Sequence, residues 1–176
     1  MIVYKQARTK AEIKQILNLQ KLNLPKNLSE TEIREQGFLT VEHSQDLLWK
    51  MNQVFPHTLA TEEGKVIGYA LSMHPKFGKE IEILKSMFAK IKEIFIRDSF
   101  LIMGQICVAK THRGQGVFRE LYRNMQTYTR NKFDSIITEV DVKNFRSMNA
   151  HKAIGFKELA KHTSDGRVWS LIILEN

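Results

Sequence analysis

The stretch QICVAKTHRGQGVFRE, residues 105–120, decides how this chain reads. It begins with strand character, crosses a short polar turn and enters a segment with helical spacing, with Arg113, Gly114 and Gly116 at the entrance. A helix entrance has backbone N–H groups without partners inside the helix, and the aligned peptide dipoles leave that end partly positive. Two glycines let an anion come close to the backbone, and Arg113 adds a charge and several donors. These are the parts of a pyrophosphate cradle.

Two familiar phosphate loops fail against it. The P-loop ends in Gly-Lys-Ser/Thr, a triplet that does not occur in the chain. The dinucleotide fingerprint needs a small residue three places after its second glycine, and counting from Gly114 and Gly116 that place is Arg119. What remains is R-x-x-G-x-F, Arg113 to Phe118, which on its own also fits an ordinary glycine-bearing turn before an amphipathic helix. A second segment bears on the choice. NFRSMNAHKAIGF, residues 144–156, sets Asn144, Ser147, His151, Gly155 and Phe156 at fixed spacing, and the strand-like DSIITEV lies between the two segments. Ser147 and His151, four apart, share a helix face, and Gly155 suits a helix stop.

Together these segments resemble the GNAT superfamily, the acyl-CoA-dependent N-acyltransferases. The first is similar to its Q/R-x-x-G-x-G/A motif and the second to its N-x-x-A/S-x-x-x-Y-x-x-x-G-F motif. Two positions depart from the pattern: Phe118 stands where the family has a small residue, and His151 stands where it often has a tyrosine. The resemblance covers the second half of the chain by motif and the first half by element order.

Composition bounds the reading. A chain of 176 residues with 43% hydrophobic content suits one domain, residues 1–176, with one sizeable core. No apolar run reaches membrane-spanning length, so no membrane partner is expected, and MIVYKQARTK lacks the apolar core of a signal peptide. The single cysteine, Cys107, excludes an internal disulfide framework and fits a reducing, cytoplasmic setting. Net charge is +8, which favours a polyanionic ligand. The lysines are dispersed, however, and no helix-turn-helix, zinc-finger or RNA-stacking signature is present, so nucleic acid is not expected as a partner. With one cysteine and no close histidine spacing, no metal site is expected.

The elements follow from caps, breakers and periodicity. MIVYKQA reads as a strand. Thr9 and Glu12 form a capping box for a helix that Pro25 ends, and Ser29 and Glu32 form a second for a short helix closed by Gly37. Ser44 caps a third helix, stopped by Pro56. Residues 58–62 and 65–74 form a hairpin around Glu63-Gly64, and a helix spans about Lys79 to Ile94 with Ile81, Leu84, Phe88 and Ile91 on one face. Then come strand 100–110, helix 114–131, strand 134–141, helix 145–153 and strands near 156–163 and 167–174. The fold class is α/β. The resemblance implies a GNAT-like mixed central sheet splayed between two parallel strands, 100–110 and 134–141, with helices on both faces and acyl-CoA in the splay.

The resemblance also implies a chemistry, the direct attack of a primary amine of a small molecule or peptide on the thioester of acetyl-CoA. Holding the cofactor falls to the amides of Gly114, Gln115, Gly116, Val117, Phe118 and Arg119, with Arg113 adding charge, and to the side chains of Asn144 and Ser147. Ile106, Cys107 and Val108 match the strand segment that pairs with pantetheine, and the Val108 amide would donate to the thioester carbonyl. His151 would protonate the leaving thiolate or only pack against it; the sequence leaves both open. Glu139 and Asp141 are candidate bases, with His112 or a water chain as others. The acceptor would meet Gln36 to Thr40 or Tyr69 to His74. A homodimer is left open, and a non-catalytic acetyl-CoA-binding regulatory module is the alternative reading.

Overall fold

The architecture comes from a computed structural model, which describes residues 1–81, 84–94 and 99–176. Seven strands form one sheet: β1 (Ile2–Gln6), β2 (Thr58–Glu62), β3 (Lys65–Met73), β4 (Phe100–Val108), β5 (Ser135–Asp141), β6 (Lys157–Ser164) and β7 (Arg167–Glu175). They lie in the order β1-β2-β3-β4-β5-β7-β6. Every neighbouring pair is antiparallel except β4 and β5, which are parallel. The β2–β3 turn is Glu63-Gly64, both left-handed with φ of 49° and 77°, the geometry that matches the twist of a two-residue hairpin.

Six helices cover the two faces: α1 (Lys10–Leu22), α2 (Glu30–Gln36), α3 (Gln45–Val54), α4 (Lys85–Ile94), α5 (Val117–Thr129) and α6 (Phe145–Ile154). Both expected capping boxes are formed, Thr9 with Glu12 and Ser29 with Glu32, and the Ser44 side chain accepts from the Leu47 N–H. On one face Ile13 and Ile16 of α1, Leu48 and Met51 of α3, and Met87 and Ile91 of α4 pack on Leu71, Ile137 and Leu171 of the sheet. On the other, Val117, Leu121, Tyr122 and Met125 of α5 pack on Leu101, Ile136 and Ile172. The sheet alternates its side chains between these two cores, as period-two strands must.

Several boundaries differ from the sequence expectation, three of them near the gap or on the helical face. β4 stops at Val108, and Lys110–His112 form a tight helical turn instead of two more strand residues. α5 begins at Val117 rather than at residue 114, because Gly114 and Gly116 take φ of 74° and 81°, outside any right-handed helix. The helix expected from Lys79 to Ile94 divides into a 3₁₀ turn at Pro75–Lys79 and α4. Its residues Ile81, Phe88 and Ile91 are buried as expected, while Glu82 and Ile83 lie outside the described residues.

The parallel contact between β4 and β5 is short. Only Phe100, Leu101 and Ile102 pair with Ser135, Ile136 and Ile137. Beyond them β4 stays on β3 while β5 stays on β7, and a gap opens between Met103–Val108 and Thr138–Asp141. This is the splay.

Candidate functional site

The gap holds two cavities. The larger, about 490 Å³, is lined by Gln36–Leu39, Ile106–Val108, the His112–Arg119 turn apart from Gln115, and Asn144, Arg146 and Ser147, among others. The smaller, about 80 Å³, is lined by Gln105, Thr138, Glu139, Asp141, His151 and Trp169 among others. Ile106, Asn144 and Ser147 belong to both walls, so the cavities meet there.

At the head of the larger cavity Gly116 caps α5 without a side-chain hydrogen bond. The amides of Val117, Phe118 and Arg119 have no acceptor among the described residues. A Cβ built on Gly114 or Gly116 would meet nothing within 4 Å. The open space therefore lies against bare, donor-rich backbone. Arg119 and Arg146 line the same cavity with no ion-pair or hydrogen-bond partner among the described residues. Uncapped helix amides beside two uncompensated guanidinium groups form a seat for a multiply charged anion. The three phosphates of a coenzyme A molecule fit that donor set.

Arg113 lines the large cavity beside the cradle and also has a second task. Its guanidinium donates to Val108 O at 3.2 Å, to Asn23 Oδ1 at 2.6 Å and to Gln36 Oε1 at 3.4 Å. It ties the ends of α1 and α2 to the end of β4 while lining the large cavity. His112 likewise bonds Glu62 at 3.1 Å. Gln115 returns its side-chain amide to Thr111 O at 2.9 Å and does not line the cavity.

Along β4, the Ala109 N–H donates to Ile67 O on the β3 side. Successive strand amides point to opposite sides, so the Val108 N–H faces the gap. Cys107 is 6% exposed, and burial pushes its thiol up to about 12, which leaves it inert as a nucleophile.

The second motif folds as α6, with one change of role. Asn144 is the N-cap rather than a helical residue: its Oδ1 accepts from the Ser147 N–H at 3.2 Å, and its Nδ2 donates to Phe38 O at 3.4 Å. That second bond belongs to a strap, residues 37–43, which crosses the gap. On the far side Gln105 Nε2 donates to Val41 O at 2.9 Å, and the Leu39 N–H donates to Asn23 O at 3.2 Å. Gln105 Oε1 in turn accepts from Gln20 and from the Tyr69 hydroxyl, both at 2.7 Å. Of the two expected acceptor zones, Gln36–Thr40 lines the cavities, whereas Tyr69–Met73 is fully buried core.

His151 is 1% exposed. Its Nδ1–H donates to Ser147 O at 2.8 Å, which leaves Nε2 to accept from the Tyr122 hydroxyl at 2.7 Å. Phe118, Tyr122 and Phe156 stand edge-on to the ring with centroids 5.1–5.5 Å away. Burial pulls its pKa down to about 4, so the ring is neutral at neutral pH. Of the two roles the sequence left open, the surroundings of this side chain favour packing over proton donation. The two departures from the family pattern, Phe118 and His151, touch each other.

The two carboxylates also differ. Asp141 Oδ1 accepts from the Lys143 N–H at 2.9 Å and Oδ2 from Arg167 at 3.4 Å, so it holds a turn. Glu139 Oε2 bonds His162 Nε2 at 2.8 Å, while Oε1 has no partner among the described residues. Burial pushes the Glu139 carboxyl above the usual range, as suits a base. His162, Arg146 and Tyr122 carry no sequence signal; only their placement reveals them. Among the described residues no group of histidine, cysteine or carboxylate side chains could hold a metal, and no helix is long and apolar enough to cross a membrane.

Comparison with known proteins agrees with this geometry. The family model described as Acetyltransferase (GNAT) family matches residues 15–156. Ard1 from Thermoplasma volcanium shares the fold at a TM-score of 0.68 and 14% identity, over 99% of this chain and 97% of that one. The ribosomal-protein-S18-alanine N-acetyltransferase from Escherichia coli does so at 0.66 and 14%, over 99% and 94%. YncA from Salmonella typhimurium, solved with its cofactor acetyl-CoA, does so at 0.67 and 16%, over 99% and 94%. No curated protein sequence matches the chain. At such identities the structural likeness carries the fold, and the family match carries the membership. The chain belongs to the GNAT family of acetyltransferases, transferases that depend on acyl-CoA.

Proposed function

We propose that this chain transfers the acetyl group of acetyl-CoA to a primary amine of a small molecule or peptide, by direct attack of the amine. One observation carries the reading: a large cavity headed by uncapped amides and unpartnered arginines meets a small cavity that holds a free carboxylate oxygen. Acetyl-CoA, when bound, supplies an acetyl thioester and a thiolate leaving group. The amides from Gly114 to Arg119 would hold its pyrophosphate, and Arg119 and Arg146 its remaining phosphate charge. The strand edge Ile106–Val108 would take the pantetheine arm, with the gap-facing Val108 N–H donating to the thioester carbonyl. Arg113 and Asn144 act one step back, by fixing the cradle and the strap.

Glu139 is the stronger candidate base of the two, since Oε1 is unengaged while both oxygens of Asp141 are committed. His151 serves as a neutral wall of the small cavity, beside Ser147. The 80 Å³ cavity suits the slender end of an alkylamine, and its carboxylates suit an ammonium group. A reducing cytoplasm suits the lone thiol. The test follows free thiol released from acetyl-CoA with a panel of polyamines, amino acid amides and N-terminal peptides. Transfer to at least one class is expected. Tight acetyl-CoA binding with no transfer to any of them would replace this reading with a cofactor-binding regulatory module.

A further inference from the structure

Glu139 and His162 lie on strands that are not neighbours. Glu139 of β5 pairs with Leu171 of β7, while His162 of β6 pairs with Trp169 of β7, so the two side chains meet over the strand between them. Their contact is 2.8 Å, and the His162 and Glu139 side chains are only 9% and 12% exposed. The other ring nitrogen, Nδ1, is sealed from solvent with no partner among the described residues. A buried N–H on a cation without an acceptor costs far more than an empty lone pair on a neutral ring. The proton therefore belongs on Nε2, donated to Glu139 Oε2. That leaves Glu139 ionised, with Oε1 unengaged on a residue that lines the small cavity.

We propose that His162 is the positioning residue for the base of this enzyme: its Nε2–H pins Oε2 so that Oε1 faces the acceptor's ammonium group. This rests on the reading of Glu139 as the base. In the step, the ammonium N–H bond breaks and an O–H bond forms at Oε1. The nitrogen keeps the electron pair with which it attacks, and the proton leaves Glu139 for water through the cavity. His162 neither gains nor loses a proton.

Other ionisable groups surround the pair. Asp141 stands two residues along β5 with Arg167 from β7, and the neutral His151 faces the same cavity from α6. The strap brings the half-buried His43, and α4, packed on β6, carries Lys85, Lys90, Lys92 and Glu93, of which Lys90 bonds Glu93. Among these groups the bond from His162 is a pull downward on the Glu139 carboxyl, opposing its burial.

The experiment titrates carboxyl-labelled Glu139 by carbon NMR in the intact protein, its signal identified by loss in Glu139→Gln. In His162→Leu the midpoint should rise by roughly half a unit or more. In His162→Gln, which keeps an N–H donor, it should move back towards the parent value. With acetyl-CoA and the same amine panel, His162→Leu should lower kcat by about tenfold and shift the rising pH limb to higher pH. The KM for acetyl-CoA should be unchanged. An unmoved Glu139 titration and an unmoved limb would overturn the role of His162 while leaving Glu139 as base. Full activity in Glu139→Gln would overturn the base reading, and this proposal with it. The parent protein gives an independent check, because a His162 ring that nitrogen NMR finds doubly protonated at pH 7 would also overturn it.

Discussion

The Tyr122 hydroxyl and His151 Nε2 are locked together at 2.7 Å, and neither side chain is open to solvent. Removing the ring strands that hydroxyl in an apolar cluster, at a cost of about 1–3 kcal/mol. His151→Phe should therefore lower the melting temperature while kcat changes less than about threefold, because a neutral pinned ring has no proton to give. Adding Tyr122→Phe should recover part of the lost stability. A large kcat loss with an altered pH profile would return His151 to the chemistry.

Acetyl-CoA should stabilise the fold by mass action, and Gly116→Asp should abolish that effect without unfolding the protein. Aspartate tolerates the left-handed conformation found there, φ 81°, but its carboxylate would face the anion seat. Titration calorimetry that finds undiminished binding in the variant would place the anion elsewhere.

Arg146 has no partner to lose within the described residues, so Arg146→Ala should leave the melting temperature of the free protein alone. The Kd for acetyl-CoA should weaken by about tenfold, equivalent to about 1.4 kcal/mol. Affinity in the variant should also fall less steeply with added salt. A destabilised free protein with unchanged affinity would contradict the assignment.

Two buried histidines and the half-buried His43 make stability depend on pH. Burial pulls His43, His57 and His151 each down to about 4, and His57 is fully satisfied as a neutral ring, accepting from the Ser72 N–H and donating to Leu48 O. Between pH 4 and the ordinary value near 6.5 the unfolded chain holds protons that the native state does not. Stability is complete above that window and falls as pH drops through it, by up to roughly 3 kcal/mol for each histidine. Urea midpoints that stay constant from pH 7 to pH 5 would contradict this.

The signals that were legible in the sequence are local ones. A capping box such as Thr9 with Glu12 spans three residues, so spacing alone announces it, and the same holds for the glycines before α5. The parallel central pair followed from the resemblance and is present. What could not be read depends on register and long-range approach. Arg113 stands in a phosphate-like motif, yet its donors reach Asn23 and Gln36, whose nearness only the tertiary fold creates. Asn144 has motif spacing, but the start of α6 claims its side chain as a cap. His162 meets Glu139 only because both flank β7 in a particular register, and no local pattern marks that pairing.

The short seam between β4 and β5 has a mechanical consequence. Four strands on one side and three on the other form two leaves, hinged at Phe100–Ile102 against Ser135–Ile137 and laced at the open end by the Val41 and Phe38 carbonyls. The two leaves are therefore joined by a short hinge, by these lacing bonds and, on the helical face, by the Tyr122–His151 bond between α5 and α6. A molecule lodged between the leaves acts as a spar, and its clearest imprint should be slowed amide exchange at the hinge, far from any atom it touches.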